Sequence, residues 1–209
     1  MLPLPNSKDA LFLDFDGTLV DIAPSPSQVH VSRELIELLQ TLQVRLGGAL
    51  AIISGRPIES LDTLLAPLKL AAAGEHGCEI RFRKEDSILH AKPLPVAAAR
   101  EMTALADSFP GTEVEIKTAS AAVHFRQAPD LGPQVLAAVK AVTNSFEGYE
   151  LLHGKMVAEL KPAQMNKGIA IRTIAQRAPF RGRRPVYIGD DVTDEAGFIA
   201  VNELGGLSI

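Results

Sequence analysis

The sequence predicts an α/β protein, a parallel-sheet core interrupted by an inserted α+β unit. Three observations carry that prediction. Short apolar runs at 11–15, 49–53, 68–74 and 185–189 alternate with segments of helical periodicity, the order that builds a parallel sheet with right-handed crossovers. From about Lys92 to Glu159 the order changes to helix–strand–strand, given twice, which suggests an antiparallel sheet covered by two helices. Polar residues collect just past the apolar runs, where open parallel sheets bind ligands. The expected organisation is a discontinuous core, 1–91 and 160–209, with an α+β insertion at 92–159.

Each element has a local cause. LFLDF (11–15) is an apolar run that ends in acidic residues and is broken by Gly17. DIAPSPSQ (21–28) is a loop by its proline and serine content. Ser32 can cap a helix on which Leu35, Leu38, Leu39, Leu42 and Leu46 recur at helical spacing, and Gly47 and Gly48 end it. ALAII (49–53) reads as a buried strand. Pro57 suits the first position of a helix carrying Ile58, Leu61, Leu64 and Leu65, and LKLAAAG (68–74) follows as a strand. The insertion offers helices at 96–109 and 131–146, with strands at 113–118, 121–127, 149–153 and 156–160. Beyond it, Asn166 can cap a helix through Ala178, PVYIG (185–189) is a strand, and Thr193 can cap another helix. LSI (207–209) begins a strand. A parallel sheet normally continues past such a strand, so a closing helix is expected after Ile209.

Composition excludes several classes of function. The chain has 209 residues, with 21 Lys and Arg against 25 Asp and Glu, a formal charge of −4. A nucleic-acid or acidic-membrane binder would show a basic excess. Apolar residues make up 46% and charged residues 22%, enough to bury a core, so global disorder is excluded. Cys78 is the single cysteine and can form neither an internal disulfide nor a zinc site by itself. The apolar stretches fall short of the roughly 20 residues of a membrane span. MLPLPNSKDA has no basic region followed by an apolar one, so no signal peptide is expected. A cytoplasmic monomer, with no nucleic-acid or membrane partner, is the expectation.

The polar clusters follow four strand ends: Asp14 and Asp16, then Ser54, then Glu75 and His76, then Asp190 and Asp191. The insertion is expected to cover their common rim. In DFDGTLVD (14–21) two carboxylates at i and i+2 leave the strand on one side, and Gly17 permits a sharp turn. Converging aspartates suit a hard divalent cation such as magnesium, and such a pair can divide labour between attack and proton exchange. A bare DxDG is equally an Asp-Gly turn after a strand. Ser54, in SGRP (54–57), can be a helix cap as well as a ligand for phosphate oxygens. Lys167 opens a helix, where its charge opposes the dipole; such a lysine is more often solvated, and the misplacement points to a role. In GDDVTDE (189–195), Asp194 and Glu195 suit a helix first turn, whereas Asp190 and Asp191 precede the cap, on the rim.

DFDGTL, ISGR, NKG at a helix start and GDDVTDE, in that order, resemble the four motifs of haloacid dehalogenase superfamily phosphatases. The insertion resembles that superfamily's class IIB cap. Within the superfamily, SGRP, AGEHG (73–77), AVHFR (122–126), HGKMVAELKP (153–162) and GDDVTDEAGF (189–198) are similar to the trehalose-6-phosphate phosphatase family. The likeness runs from Leu11 to the end; a segment that completes the family's core would follow Ile209.

The resemblance implies a parallel-sheet core with a cap, a sugar phosphate as substrate and Mg2+ as cofactor. It makes Asp14 the nucleophile that forms an aspartyl-phosphate and Asp16 the proton carrier. Magnesium would be held by the Asp14 carboxylate, the Asp16 backbone carbonyl and Asp190. Ser54 and Lys167 would hold phosphoryl oxygens, while Asp191 and Asp194 would orient Lys167 and metal-bound waters. It also implies substrate-binding roles for Gly55, Arg56, Glu75, His76, Arg126, Lys155 and Glu159. From pattern, Arg126 lies on the second cap strand on the face of His124, and Lys155 and Glu159 share a face if both lie on a strand. A solvated sheet face is the alternative for these three. Phosphatases of sucrose 6-phosphate or a mannosyl phosphate are the nearest alternatives. A silent sugar-phosphate-binding module would be expected to lose Asp14 or Asp16.

Overall fold

Strands buried at every position, not at alternate ones, mark the central sheet. This computed structural model describes residues 5–23 and 28–209. β1 (Asp9–Leu13), β2 (Leu50–Ile53) and β3 (Ala71–Gly74) are buried throughout, as expected of parallel strands covered on both faces. β1 carries one charge into the sheet: Asp9 is buried and takes a 2.8 Å hydrogen bond from Arg184. β4 (Glu79–Arg81) and β5 (Leu89–His90) extend one edge; β10 (Arg184–Ile188) and β11 (Leu207–Ser208) extend the other. The order is β11-β10-β1-β2-β3-β4-β5. The pairs from β11 to β3 are parallel, and β4 runs antiparallel to β3. The winding reverses between β1 and β10, and ligands of such sheets bind at that switch point.

Helices α1 (Arg33–Arg45), α2 (Ile58–Leu64), α5 (Lys167–Ala175) and α6 (Glu195–Glu203) belong to this unit. Ser32 caps α1 by accepting from Leu35 N at 3.2 Å. Leu39 and Leu46 are fully buried, Leu35 and Leu42 are half-buried, and Leu38 faces solvent. Leu38 is thus a correction, since the buried arc of α1 is narrower than the leucine stripe. Asn166 caps α5 by accepting from Ile169 N at 2.9 Å. α5 ends at Ala175, short of the predicted Ala178.

Three further expectations change. Thr193 is not a cap; Asp191 is, because its carboxylate takes Val192 N while Asp194 takes Asp191 N, closing a 3-10 turn before α6. Ser54 does not cap α2, whose first amide, Ile58 N, donates 2.6 Å to buried Glu79 of β4. β4 and β5 themselves were not predicted, because runs of three and two residues carry no period. Of the predicted loop at 21–28, residues 24–27 lie outside the described residues, as do residues 1–4 of the N-terminal segment.

The chain divides into two units, Met1–Leu89 with Asn166–Ile209, and His90–Met165. The second has an antiparallel sheet in the order β6-β7-β9-β8. Its strands are β6 (Glu113–Ile116), β7 (Ala121–His124), β8 (Tyr149–Gly154) and β9 (Val157–Pro162), with helices α3 (Val96–Asp107) and α4 (Gly132–Asn144). Ala121, Val123, Ala158 and Leu160 join Ala98 and Met102 of α3 and Val135 and Val139 of α4 in one apolar cluster. The residues between them in sequence turn the other way. That opposite face carries Glu115, Ala122, His124, Glu159 and Lys161. Among the described residues, no helix is long and apolar enough to cross a membrane.

Candidate active site

The site is built at the switch point, from the segments that leave β1 and β10. Asp14 follows β1 directly, and its amide still reaches Ile188 O of β10 at 2.9 Å. The chain then turns: Gly17 N donates to Val20 O at 2.8 Å, and Gly17 sits at φ +97°. Glycine is needed there twice over. Its φ is left-handed, and a Cβ would lie 2.2 Å from an Asp190 carboxylate oxygen. Thr18 Oγ1 donates to Asp190 Oδ1 at 3.1 Å, tying the first motif to the last.

Lys167, the first residue of α5, is buried between two carboxylates. Its Nζ donates 2.6 Å to Asp14 Oδ1 and 2.6 Å to Asp194 Oδ1. Asp194 is fully buried and saturated: Tyr187 OH also donates to Oδ1, and the amides of Asp190 and Asp191 donate to Oδ2 at 3.1 and 3.0 Å. Two glycines admit these partners. A Cβ on Gly168 would meet Ala196 O at 2.2 Å, and one on Gly197 would meet the Tyr187 ring at 2.3 Å.

The electrostatics follow from that burial. Desolvation pushes the Asp14 carboxyl up to about 6; Lys167 opposes the shift and Asp194 adds to it. Burial alone would lower the Lys167 ammonium, yet the charges of Asp14 and Asp194 win and raise it. Burial would raise Asp194, but the Lys167 charge and its hydrogen bonds hold it below the usual carboxylate range. Desolvation, then the Asp194 charge, raises the Tyr187 phenol, so it stays a neutral donor. One buried cation therefore serves two buried anions, with exposed Asp190 beside them. Asp14, Asp190 and Asp194 each offer an oxygen within 4.8 Å of the others. With Asp194 saturated, Asp14 and Asp190 are the oxygens left to a hard cation, and the donor set suits magnesium.

Asp16, two residues past Asp14, is held by Arg56, whose Nε and Nη2 each donate to it at 2.7 Å. Ser54 follows β2 and is buried, and its Oγ accepts from Arg56 N at 3.1 Å. Glu75 and His76 follow β3 in the left-handed region, at φ 47° and 55°. Their amides bind the Ser54–Arg56 turn, Glu75 N to Arg56 O and His76 N to Ser54 O, each at 3.0 Å. A Cβ on Gly55 would lie 2.6 Å from His76 Nε2, so glycine lets that ring lie against the turn. Glu75 is 1% exposed. The geometry of Glu75 and His76 is that of a brace.

The three cap candidates are not gathered. Arg126 lies in a turn past the end of β7, correcting its placement on the strand. Lys155 lies in the β8–β9 turn, so it does not share a strand face with Glu159. Arg126 and Lys155 sit at one end of the sheet, where Phe125 N meets Met156 O at 3.0 Å. Glu159 is buried in β9 and accepts from Lys117 Nζ at 3.1 Å and Ser120 Oγ at 2.6 Å, at the β6–β7 end. On the same face Glu115 and His124 lie 3.0 Å apart. Glu115, Lys117, Ser120 and His124 were missed in the sequence. The alternation of EVEIK, which puts Glu115 and Lys117 on one face, was the signal that could have found those two.

The trehalose-phosphatase family model matches residues 12–209. Trehalose-6-phosphate phosphatase of Escherichia coli strain K12 is 42% identical over 212 residues, covering 99% of this chain and 79% of that protein. A probable trehalose-phosphate phosphatase of Sinorhizobium fredii is 42% identical over 204 residues, 96% of this chain and 76% of that one. Among solved structures, the C-terminal domain of C. albicans trehalose-6-phosphate phosphatase superposes with a TM-score of 0.83 at 22% identity. That match covers 95% of this chain and 75% of the other, and is a likeness of fold. A match over nearly the whole chain, relatives at 42% identity and the α/β core with its insertion all agree. The chain belongs to the trehalose-phosphatase family.

Proposed function

We propose that the protein hydrolyses trehalose 6-phosphate to trehalose and phosphate, with Asp14 forming an aspartyl-phosphate. The observation that carries the mechanism is the Asp14–Lys167–Asp194 chain at the switch point, with both bonds at 2.6 Å. Lys167 fixes one Asp14 oxygen and leaves the other to attack phosphorus. Attack breaks the phosphorus–sugar oxygen bond, and Asp16 gives the departing oxygen its proton. Water then attacks the aspartyl-phosphate, Asp14 leaves with the electron pair, and Asp16 takes the proton from water. Ser54 and Lys167 hold the phosphoryl oxygens, since such a transition state needs mainly positioning and neutralised charge. A magnesium ion on Asp14, Asp190 and the Asp16 carbonyl would supply the further positive charge at the phosphoryl group.

Substrate choice is proposed to lie with the second unit. Arg126 and Lys155, at one end of its sheet, offer donors that suit a polyhydroxyl ligand, whereas Glu159 is already held by Lys117 and Ser120 at the other end. The test is phosphate release from trehalose 6-phosphate, sucrose 6-phosphate and a mannosyl phosphate, each with magnesium and with chelator. Magnesium-dependent release that favours trehalose 6-phosphate is expected. Preference for another sugar would reassign the substrate, and full activity in chelator would remove Asp190 from its proposed role. Asp14→Asn is expected to lose turnover by at least about a thousandfold with its fold intact, because an amide is not a competent nucleophile. Near-native turnover in that variant, with deamidation excluded by mass, would remove the covalent step.

A further inference from the structure

The Arg56 guanidinium is closed around a carboxylate of the protein itself. Its two parallel bonds to Asp16, both 2.7 Å, fix direction as well as charge. The rest of Arg56 is fixed in turn. Its Cζ lies 5.7 Å from the centre of the Phe15 ring. Its amide is held by Ser54 Oγ and its carbonyl by the amide of Glu75. The Arg56 side chain is 12% exposed and that of Asp16 35%, so the clamp is rooted and the clamped group faces outward. The strained Glu75–His76 turn has a purpose under this arrangement, since its two amides hold the turn from which Arg56 projects.

We propose that Arg56 is a positioning residue that aims Asp16 at the leaving oxygen, and not a ligand of the substrate. This rests on the reading of Asp16 as proton carrier. Asp16 lies on a loop past β1, where an aspartate without such a partner would sample several rotamers. Proton transfer to a departing oxygen needs hydrogen-bond reach and alignment at the moment the bond breaks. Each Asp16 oxygen accepts one bond from Arg56 and keeps a second lone pair, so the clamp stays closed while one of them delivers the proton. The same arrangement receives the proton of the attacking water in the second half of the reaction.

The test is a series of aryl phosphates of similar shape, from phenol to dinitrophenol as leaving group, in magnesium buffer. Wild type, Arg56→Ala, Arg56→Lys, Asp16→Asn and the double variant Asp16→Asn/Arg56→Ala are compared. A phenolate leaves poorly without a proton, whereas a dinitrophenolate needs none. Arg56→Ala is expected to lose roughly tenfold to hundredfold in kcat/KM on phenyl phosphate, carried by kcat, and under about threefold on the dinitrophenyl ester. Asp16→Asn should show the same slope, and the double variant should be no worse than Asp16→Asn alone. Arg56→Lys should restore little, because a lysine cannot form the two-point bond. Equal loss across the series, or loss carried by KM, would put Arg56 on the phosphoryl group and overturn the proposal. No loss at all with these sugar-free esters would assign Arg56 to the sugar and overturn it too. If Arg56→Ala does not fold, Arg56→Gln and Arg56→Lys give the same slopes. A wild type inactive on every phosphate ester would instead sink the phosphatase reading beneath it.

Discussion

Lys167 holds the site together because it is buried with more negative charge than it can balance. Removing one partner of a buried ion pair leaves an uncompensated charge, which costs about 3–5 kcal/mol. Lys167→Met is therefore expected to lose stability on that scale as well as activity, read by denaturant unfolding. Part of that loss belongs to Asp194, whose other donors, Tyr187 and two amides, remain. Lys167→Met/Asp194→Asn should recover some stability but no activity. A single variant as stable as wild type would mean the pair contributes nothing to folding. The lysine was visible in the sequence as a charge in the wrong place for a helix dipole. Its partner Asp14, 153 residues away, was not, and Asp194, 27 residues on, was expected beside it only from the family resemblance.

At the scale of elements, the caps show how far local reading reaches. Ser32 and Asn166 cap α1 and α5 from within their own helices, so the sequence predicts them. Pro57, at the start of α2, has no side chain to offer, and the amide of Ile58 is satisfied by Glu79 from another strand. Glu79→Ala should therefore destabilise the protein as loss of a cap does, by about 1–2 kcal/mol, measured by chemical unfolding; an unchanged midpoint would disprove the cap. In the second unit the cross-strand pair Glu115–His124 sets a pH dependence. The hydrogen bond from His124 holds the Glu115 carboxyl below its usual 4.5. A depressed carboxylate stabilises the fold above its unfolded value, and that contribution is lost as pH falls through the folded one. Glu115→Gln should therefore cost stability at neutral pH and cost nothing in strong acid. The opposite trend would show that the pair does not favour the ionised acid.

For the whole molecule, Asp14 and Asp190 bring carboxylate oxygens within 4.8 Å of each other at the place where the winding of the core sheet reverses. A cation bound there binds the folded chain alone, so it must raise stability by mass action. The gain is about 2.7 kcal/mol at a free concentration 100 times Kd. Magnesium is expected to raise the Tm of the wild type, and Asp190→Asn should remove most of that rise. A rise of equal size in both proteins would place the ion elsewhere. This readout needs no substrate, so it separates metal binding from the chemistry proposed for Asp14.

By itself the sequence determined the α/β class, the parallel strands and the α+β insertion, because each rests on local periodicity and on continuous apolar runs. It also determined which residue types stand past the strand ends, since Asp-x-Asp-Gly and Gly-Asp-Asp are contiguous. Tertiary structure decided the rest, because pairing in space has no signature in spacing. Only the fold shows that Asp194 gathers four donors, that Asp191 and not Thr193 closes the last turn, and that β4 runs antiparallel. Only the fold separates Glu159, buried against Lys117 and Ser120, from Lys155 in its hairpin turn. The same is true of Arg56. Its position beside Ser54 was plain, but its closure on Asp16 joins residues 40 apart, and that contact exists only once β1 and β2 lie side by side.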